Sequence, residues 1–396
     1  MPAAAVRCGD AYSEGLREEV LPQARRARLC FVAPHAWPVL ARDSSFRVVG
    51  GAEVQQSLLA RLLAAQGYPV SMICLDYGQP PRVEVEGVTV HRVFRADAGL
   101  PVLRFAHPRL SSMWRALREA DADVYYYRSA SMWVAVMAAF CRRHGRRSIY
   151  AGASNMDFLP GQGGQIRYAR DRWLFRRGLA AVDRIVVQNE AQRESCRTHY
   201  GRDAVLIPSC YQPPARSAGG EPRRERADRV LWVGTVHENK RPRLLLELAR
   251  RLPGRRFVMV GGPSRGRANP FFDAVRREAE ALPNVEFTGF LPLEEVERWF
   301  DRARVFVLTS AYEGMPNVFL QAWARGVPTV STVDVGTPAN IVARDADALE
   351  REVGSLLADR ARWAAASALC RRGFERSHSS TGVLERYERL FAGLVS

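Results

Sequence analysis

Residues 310–330 read S-A-Y-E-G-M-P-N-V-F-L-Q-A-W-A-R-G-V-P-T-V and describe a passage from a loop into a helix. The apolar residues Val305–Leu308 just before them predict a buried strand. Asn317 is a good N-cap residue, and no helix breaker follows before Arg325. Gly326 stands where a C-cap glycine ends a helix. The pattern therefore predicts a strand, a polar loop and a helix in direct succession.

The polar loop carries a lone carboxylate, Glu313, beside Gly314 and Pro316. A helix that begins at such a loop directs free backbone N–H groups and the positive end of its dipole towards the loop. An anion is the natural ligand of this arrangement, and a phosphate group is the first candidate. Gln321 lies one turn inside the helix, so Glu313 and Gln321 are expected to border the same pocket.

The size and composition of the chain limit the classes of protein to which it can belong. A chain of 396 residues with 47% hydrophobic and 25% charged residues is expected to form two globular domains. The formal net charge of +16 has two explanations: an anionic partner, or an arginine-rich composition without functional meaning. Because no nucleic-acid-binding motif accompanies the charge, no nucleic-acid partner is expected.

The seven cysteines and seven histidines are scattered and show no metal-ligand spacing. Reduced thiols and the absence of a metal site are therefore expected. No apolar run approaches the roughly 20 residues of a membrane span. The first 28 residues lack the apolar centre of a signal peptide. These features predict a cytoplasmic protein.

Both halves of the chain alternate short apolar segments with amphipathic ones, the pattern of parallel α/β sheets. The expected strands lie at residues 29–33, 70–74, 124–127, 148–151, 184–188 and 204–207 of the first half, with a hairpin at 83–94, and at 230–234, 257–260, 285–287 and 305–308 of the second. The fold prediction is two doubly wound, Rossmann-like α/β domains that face each other across a cleft. Ligands of such sheets bind at the carboxyl ends of the strands.

The predicted domains are residues 28–207 and 228–378. The segment between them, 208–227, is rich in proline, glycine and charge and is the predicted linker. An amphipathic helix at 379–396 is expected to pack across the domain junction.

Two glycine turns are further candidates for a binding site. Gly50-Gly51-Ala52-Glu53 enters a helix, either as a tight turn or as a close approach of backbone to a substrate. Gly234 ends a strand, and Lys240, which follows at the start of the next helix, could reach a diphosphate or be a solvated first-turn residue. Neither turn is the G-x-G-x-x-G fingerprint, which argues against a dinucleotide-dependent enzyme.

Two other segments have alternative interpretations. Asp157 follows a buried strand, and it is either a base or hydroxyl-binding group or a helix cap. Residues 167–177 interleave five arginines with aromatic residues, which favours either a helix on an anionic membrane or, preferably, an amphipathic helix whose aromatic side chains face the core.

Taken together, these residues resemble the family-4 retaining glycosyltransferases of the GT-B fold, over nearly the whole chain after residue 28. The most specific landmark is the opening segment, which resembles the family's Glu-x7-Glu pattern from Glu313 onward. The other landmarks, whose order carries the resemblance, are Gly50-Gly51-Ala52-Glu53, the strand Ile185-Val186-Val187-Gln188, Val233-Gly234 with Lys240-Arg241-Pro242, Gly261-Gly262, and Asn284 to Phe290.

The resemblance implies transfer of a sugar, of hexosyl type, from a nucleotide-sugar donor with retention of anomeric configuration. It implies neither a metal nor a cofactor. The second domain would hold the donor: Glu313 and the backbone after it touch the sugar, the position of Gln321 grips the ribose, and Lys240 neutralises the diphosphate. The candidate residues are Glu313 and Asp157 for catalysis; Gly234, Thr235, Lys240, Thr288, Gly289, Met315, Pro316, Asn317 and Gln321 for the donor; and Gly50, Gly51 and Glu53 for the acceptor-side loop.

The chain departs from the family pattern at four positions. Gln321 replaces the second glutamate, and its amide can still hydrogen bond to ribose hydroxyls. Thr235 stands where an arginine often contacts the diphosphate, and Asn340 where a glutamate is common. The histidine often found after the strand at 148–151 is missing, with Ser154 and Asp157 nearby instead.

The function hypothesis is a retaining glycosyltransferase that acts on a glycan, lipid-linked or small-molecule acceptor in polysaccharide biosynthesis. The expected location is the cytoplasm, with a possible peripheral contact at the anionic inner surface of the membrane. The alternative is a non-catalytic nucleotide-sugar-binding protein or partner subunit with the same fold.

Overall fold

The structure is a computed structural model, and it describes residues 26–43, 46, 50–100, 105–160, 166–214, 228–264 and 269–395. Most of the described chain forms two parallel sheets with helices on both faces, one in each half. No helix in these ranges combines the length and the apolar character needed to cross a membrane.

The first sheet has eight strands in the order β3-β4-β2-β1-β5-β6-β7-β8. All neighbours are parallel except the β3–β4 hairpin. Its strands are β1 (Leu29–Val32), β2 (Val70–Cys74), β3 (Arg82–Val85), β4 (Val88–Arg92), β5 (Val124–Arg128), β6 (Arg147–Ala151), β7 (Arg184–Val187) and β8 (Val205–Leu206). The winding direction reverses between β1 and β5, two parallel neighbours in which Val32 lies opposite Tyr127.

The second sheet has six parallel strands in the order β11-β10-β9-β12-β13-β14. They are β9 (Arg229–Val233), β10 (Arg256–Val260), β11 (Val285–Gly289), β12 (Val305–Leu308), β13 (Thr329–Ser331) and β14 (Asn340–Val342). Here the winding reverses between β9 and β12, where a doubly wound sheet opens a crevice at its carboxyl edge.

Helices connect the strands and cover both sheets. They are α1 (Trp37–Leu40), α2 (Gly51–Ala65), α3 (Ser111–Ala120), α4 (Trp133–Arg143), α5 (Ala169–Ala181), α6 (Glu190–Tyr200), α7 (Pro242–Arg251), α8 (Pro270–Glu280), α9 (Leu293–Arg302), α10 (Asn317–Ala324), α11 (Ala346–Ala358), α12 (Arg360–Ser377) and α13 (Ser380–Val395). Short helical turns also occur at Ala106–Leu110, Asn155–Phe158 and Glu238–Lys240.

Each sheet has a hydrophobic core on either face, because parallel sheets bury both of their sides. The C-terminal helix α13 belongs to the core of the first sheet, where Tyr387 and Phe391 are buried against the β1 side. The chain therefore crosses to the second domain and returns to the first. This two-domain, doubly wound α/β architecture confirms the predicted fold class.

Two expectations about helices are wrong. Asn317 is the first residue of α10 and Pro316 is the N-cap, without any side-chain cap. The aromatic residues at 167–177 do not all face the core: Phe175 is buried, but Tyr168 and Trp173 are 56% and 55% exposed. Phe175 shares its helix face with Gly178 and Leu179, three and four positions on, whereas Trp173 lies two positions away and points to the other side.

The predicted linker is only partly described. Residues 208–214 are described, and within them Ser209 and Cys210 are buried. Residues 215–227 lie outside the described ranges.

Candidate active site

The loop between β12 and α10 forms one wall of a site at the carboxyl edge of the second sheet. Glu313 of this loop makes an ion pair with Lys240, which comes from the turn Glu238–Lys240 after β9. The two side chains remain 16% and 26% exposed, so a ligand can reach both. The two loops follow β9 and β12, the strands between which the winding reverses. The Lys240–Glu313 pair therefore lies at the crevice that the topology creates.

Hydrogen bonds hold the two loops together. The Thr309 hydroxyl donates to the Lys240 carbonyl (2.6 Å), and the Arg241 guanidinium donates to the carbonyls of Thr309 (2.7 Å) and Ser310 (3.0 Å). The Ala311 N–H donates to the Asn239 carbonyl (2.8 Å). Because the backbone on both sides of the Lys240–Glu313 pair is fixed, the cation and the carboxylate are held in place before any ligand binds.

Other residues predicted to bind the donor lie along the same edge of the sheet. Gly289 has φ +72°, a backbone conformation that favours glycine, and its carbonyl accepts from the Gly261 N–H (2.9 Å). Gly234 and Gly261 approach so closely that a Cβ on Gly261 would lie 2.1 Å from the Gly234 carbonyl oxygen. Thr288 is half-buried and Thr235 is exposed, so both are accessible from this edge.

The first domain supplies the opposite wall, which contacts α10 directly. The Asn317 side chain donates to the Gly51 carbonyl (2.9 Å) and accepts from Gln55 Nε2 (3.0 Å). The Met315 N–H donates to Gln188 Oε1 (3.0 Å). The predicted glycine turn at residues 50–53 therefore meets the start of α10. Asn317 is engaged by the first domain instead of capping its own helix.

Asp157 belongs to the loop that faces Gly314. Its Oδ2 accepts from the Ala153 N–H (2.8 Å), the Ser154 N–H (3.3 Å) and the Tyr150 hydroxyl (3.1 Å). Burial raises the pKa of the Asp157 carboxyl above its ordinary value, and the backbone N–H donors partly offset this effect. These contacts are those of a cap, and a role of Asp157 in catalysis or hydroxyl binding stays a prediction.

Gln321 lies in a buried polar network that the sequence did not reveal. Its Nε2 donates to Glu297 Oε1 of α9 (2.8 Å). Glu297 Oε2 accepts from the Tyr211 hydroxyl (2.6 Å) and pairs with Arg325 (2.7 Å), which also pairs with Asp301 (2.6 Å). The i,i+4 spacing of Gln321 and Arg325 is the only sequence signal that places these two side chains together.

The described ranges contain no group of three His, Cys, Asp or Glu side chains placed to hold a metal ion. The buried Asn340, which replaces a common glutamate, donates to the Val333 carbonyl (3.0 Å) and accepts from the Thr329 hydroxyl (3.3 Å). Asn340 therefore ties the loop after β13 to the sheet.

Comparison with known families places the chain. Residues 49–211 match the model of glycosyltransferase family 4, and residues 227–370 match the model of glycosyl transferases group 1. The chain belongs to the family-4 glycosyltransferases. One matched segment falls in each doubly wound domain, and the second contains both Lys240 and Glu313.

Among curated proteins, this chain is similar to the D-inositol 3-phosphate glycosyltransferase of Mycobacterium tuberculosis (strain H37Rv). The two are 29% identical over 176 residues, which are 40% of this chain and 36% of that protein. The chain thus spans about a third of the length of the curated relatives that it matches.

Solved structures share the GT-B fold over nearly the full length. Sucrose-phosphate synthase from Thermosynechococcus elongatus superposes with a TM-score of 0.72 at 19% identity, covering 93% of this chain and 99% of that one. HepE from Anabaena, solved with UDP and glucose, superposes with a TM-score of 0.70 at 13% identity, covering 94% of this chain and 100% of that one. The catalytic domain of starch synthase IV from Arabidopsis thaliana, bound to ADP and acarbose, superposes with a TM-score of 0.65 at 12% identity. The match covers 93% of this chain and 99% of that one.

Proposed function

We propose that this protein transfers a hexosyl group from a nucleotide-sugar donor to an acceptor, with retention of anomeric configuration and without a metal ion. The observation that carries the proposal is the Lys240–Glu313 pair, held between the two loops at the crevice of the second sheet and next to the start of α10. HepE was solved with UDP and starch synthase IV with ADP, and these ligands support a nucleoside diphosphate as the leaving group here.

The chemistry follows from where charge develops. The departing nucleoside diphosphate gains negative charge as the glycosidic bond breaks, and a fixed cation with preorganised N–H donors stabilises that charge most in the transition state. Lys240 supplies the cation, and the N–H groups at the start of α10 supply the donors. Glu313 orients sugar hydroxyls and favours positive charge at the anomeric carbon. The first-domain wall at Gly51 and Gln188 closes over the acceptor.

The test is turnover with a panel of nucleotide sugars, in which slow hydrolysis of one donor is expected even without an acceptor. Proton NMR of the released sugar or glycoside then reads the anomeric configuration. Glu313→Ala should abolish turnover, whereas Glu286→Gln, which changes an exposed carboxylate on β11 of the same sheet, should not. A protein that neither binds nor turns over any donor would contradict the proposal.

A second candidate function is a nucleotide-sugar-binding subunit without catalysis. It is favoured by one feature, the amide of Gln321 where the family has a glutamate. Under this alternative, Glu313→Ala leaves the cellular product unchanged while donor binding by the wild-type protein persists.

For the acceptor side, we propose a glycan or lipid-linked acceptor of polysaccharide biosynthesis and a cytoplasmic protein that touches the anionic inner membrane surface through α5. Trp173 and Tyr168 are exposed on this helix, and the guanidinium groups of Arg177 and Arg167 lie over their rings at 5.2 and 5.6 Å. Exposed aromatic residues among arginines suit the headgroup region of an anionic bilayer.

Cosedimentation with phosphatidylglycerol and with phosphatidylcholine vesicles tests this contact. We expect binding to the anionic vesicles only, lost in the Trp173→Ala/Arg177→Glu variant. The matched control is Trp299→Ala/Arg302→Glu on α9, a similar cation–π pair (5.8 Å) in the other domain, which should bind like the wild type. Equal binding of both variants would contradict the contact.

A further inference from the structure

The amide of Gln321 is held in one orientation by a carboxylate. Gln321 Nε2 lies 2.8 Å from Glu297 Oε1, and both residues are buried. An ionised carboxylate has only acceptor atoms, so the NH2 group of Gln321, not its carbonyl, must face Glu297. Gln321 Oε1 is then directed away from Glu297, and it accepts no hydrogen bond from any described residue.

Glu297 is itself fixed from the other side. Its second oxygen, Oε2, accepts from the Tyr211 hydroxyl (2.6 Å) and pairs with Arg325 (2.7 Å). Arg325 is only 4% exposed, so this ion pair is shielded from solvent. Glu297 is therefore held in a set position, and the carboxamide of Gln321 cannot turn over without placing two acceptor oxygens against each other.

We propose that Glu297 is a positioning residue that fixes the Gln321 amide so that Oε1 accepts a hydrogen bond from a ribose hydroxyl of the donor nucleotide. The inference rests on the proposed function and adds the orienting group. Gln321 lies one turn inside α10, beyond the N–H groups proposed for the diphosphate. An atom that only accepts would repel phosphate oxygens, so a hydroxyl group is the matching ligand.

The same contact explains why this chain carries glutamine where the family has glutamate. A glutamate at 321 would place a second carboxylate within hydrogen-bond distance of Glu297. Two carboxylates at that distance do not both ionise, and the pKa of one is raised. With Glu297 in place, an amide at 321 presents an acceptor oxygen to the ribose without that repulsion.

The contact is tested first without any nucleotide. In Gln321→Glu, the carboxyl pKa raised by Glu297 lies above its unfolded value, so the melting temperature should fall relative to wild type as the pH rises from about 5 to about 8. The double variant Glu297→Gln/Gln321→Glu restores an amide–carboxylate pair and should remove most of this pH-dependent loss. If Gln321→Glu shows no such loss, the contact does not exist and the inference falls, whatever the protein does with nucleotides.

The second test compares UDP with 2′-deoxy-UDP by calorimetry; ADP and 2′-deoxy-ADP replace them if ADP binds more tightly to the wild type. One neutral hydrogen bond corresponds to roughly threefold to tenfold in affinity. We expect the wild type to prefer the ribonucleotide by that factor, and Gln321→Leu and Glu297→Gln to lose most of the preference. Asp301→Asn is the control, because Asp301 pairs with the same Arg325 but is half exposed and makes no described hydrogen bond to Gln321.

The outcomes separate the two proposals. A wild type that binds neither nucleotide contradicts the proposed function and the ribose contact, while the pH-dependent melting still reports on Glu297 and Gln321. A wild type that binds UDP but does not distinguish it from 2′-deoxy-UDP, or a Glu297→Gln variant with undiminished preference, overturns the inference and leaves the proposed function standing.

Discussion

Lys240 is the only lysine among the 396 residues, and it is the partner of Glu313. Removing its charge should be costly in the transition state, because the charge on a leaving diphosphate has to be stabilised where water is largely excluded. We expect Lys240→Met to lower kcat/KM for the donor by roughly 100-fold or more, the loss typical of a group that stabilises developing charge. The measurement is the rate of donor hydrolysis.

Two controls separate charge from structure. Lys240→Arg keeps the cation and should retain more activity than Lys240→Met, although a guanidinium does not copy the ammonium geometry. Because the ε-amine is chemically unique in the chain, reductive methylation of the wild type labels only Lys240 and the α-amino group. A nucleotide sugar that binds as proposed slows labelling of Lys240; unchanged labelling at saturating donor would refute its place at the diphosphate.

At the residue scale, the sequence was informative where a chemical group is rare and local. The sequence indicates Glu313 as the lone carboxylate of a loop and Lys240 as a cation that follows a strand ending in glycine, and the structure brings the two together. The prediction of Asn317 as an N-cap is wrong because its side chain binds the Gly51 carbonyl, which lies 266 positions away in the sequence. Glu297 was missed for the same reason: its role depends on a contact between two helices.

At the scale of elements, the loop between β12 and α10 is where the domains meet. A Cβ on Gly314 would lie 2.8 Å from the Ala153 carbonyl oxygen of the first domain, which is closer than real Cβ contacts allow. We therefore expect Gly314→Ala to push the loop at 153–157 away and to lower kcat about tenfold, with nucleotide affinity nearly unchanged because Lys240 and α10 belong to the second domain. Steady-state kinetics and calorimetric titration with UDP measure the two quantities.

The matched control for this prediction is Gly254→Ala. No atom lies within 4 Å of the Cβ that the substitution would add, so activity and stability should stay near wild type. If Gly314→Ala weakens nucleotide binding as much as turnover, its effect lies within the donor site and the argument from domain contact is wrong.

Strands were predicted well because parallel sheets bury both faces, so their strands read as continuous apolar runs. The predicted strands at 70–74 and 305–308 have the observed bounds, and others differ by a residue or two. The three-residue strands β13 and β14 were missed, since so short a segment carries no periodic signal. The prediction for the aromatic residues of α5 is wrong because Trp173 and Phe175, two positions apart, lie on different faces of the helix.

At the scale of the whole molecule, the two chain crossings between the domains lie side by side. The Tyr211 N–H donates to the His378 carbonyl (3.1 Å), and His378 Nδ1 lies 2.8 Å from the Ser209 carbonyl oxygen, to which it donates. Tyr211 also reaches Glu297 (2.6 Å), so the junction is joined by hydrogen bonds to the network that holds Gln321. No sequence pattern indicates this arrangement, since it requires residues near 210 and 378 to meet.

His378 makes this junction sensitive to acid. Burial lowers the pKa of its imidazole. The hydrogen bond to the Ser209 carbonyl partly offsets this effect, and the charge of Arg386 adds to it. The unfolded chain therefore binds the proton more readily than the folded one, and stability is lost as the pH falls below the unfolded histidine value of about 6.5. We expect the melting temperature of the wild type to fall between about pH 7 and pH 5, and to fall less in His378→Gln, whose neutral amide can still donate to the Ser209 carbonyl.

His91 provides the comparison, because burial lowers its pKa as well but it lies in β4, within the first sheet. His91→Gln should also reduce the acid sensitivity of unfolding, since the same linkage applies to it. Only His378→Gln should change how donor affinity varies with pH, because only His378 is joined through Tyr211 and Glu297 to Gln321. If both variants leave the pH dependence of nucleotide binding equal to that of the wild type, the junction contributes to stability alone. Acid then lowers the stability of the molecule without changing the affinity of its donor site.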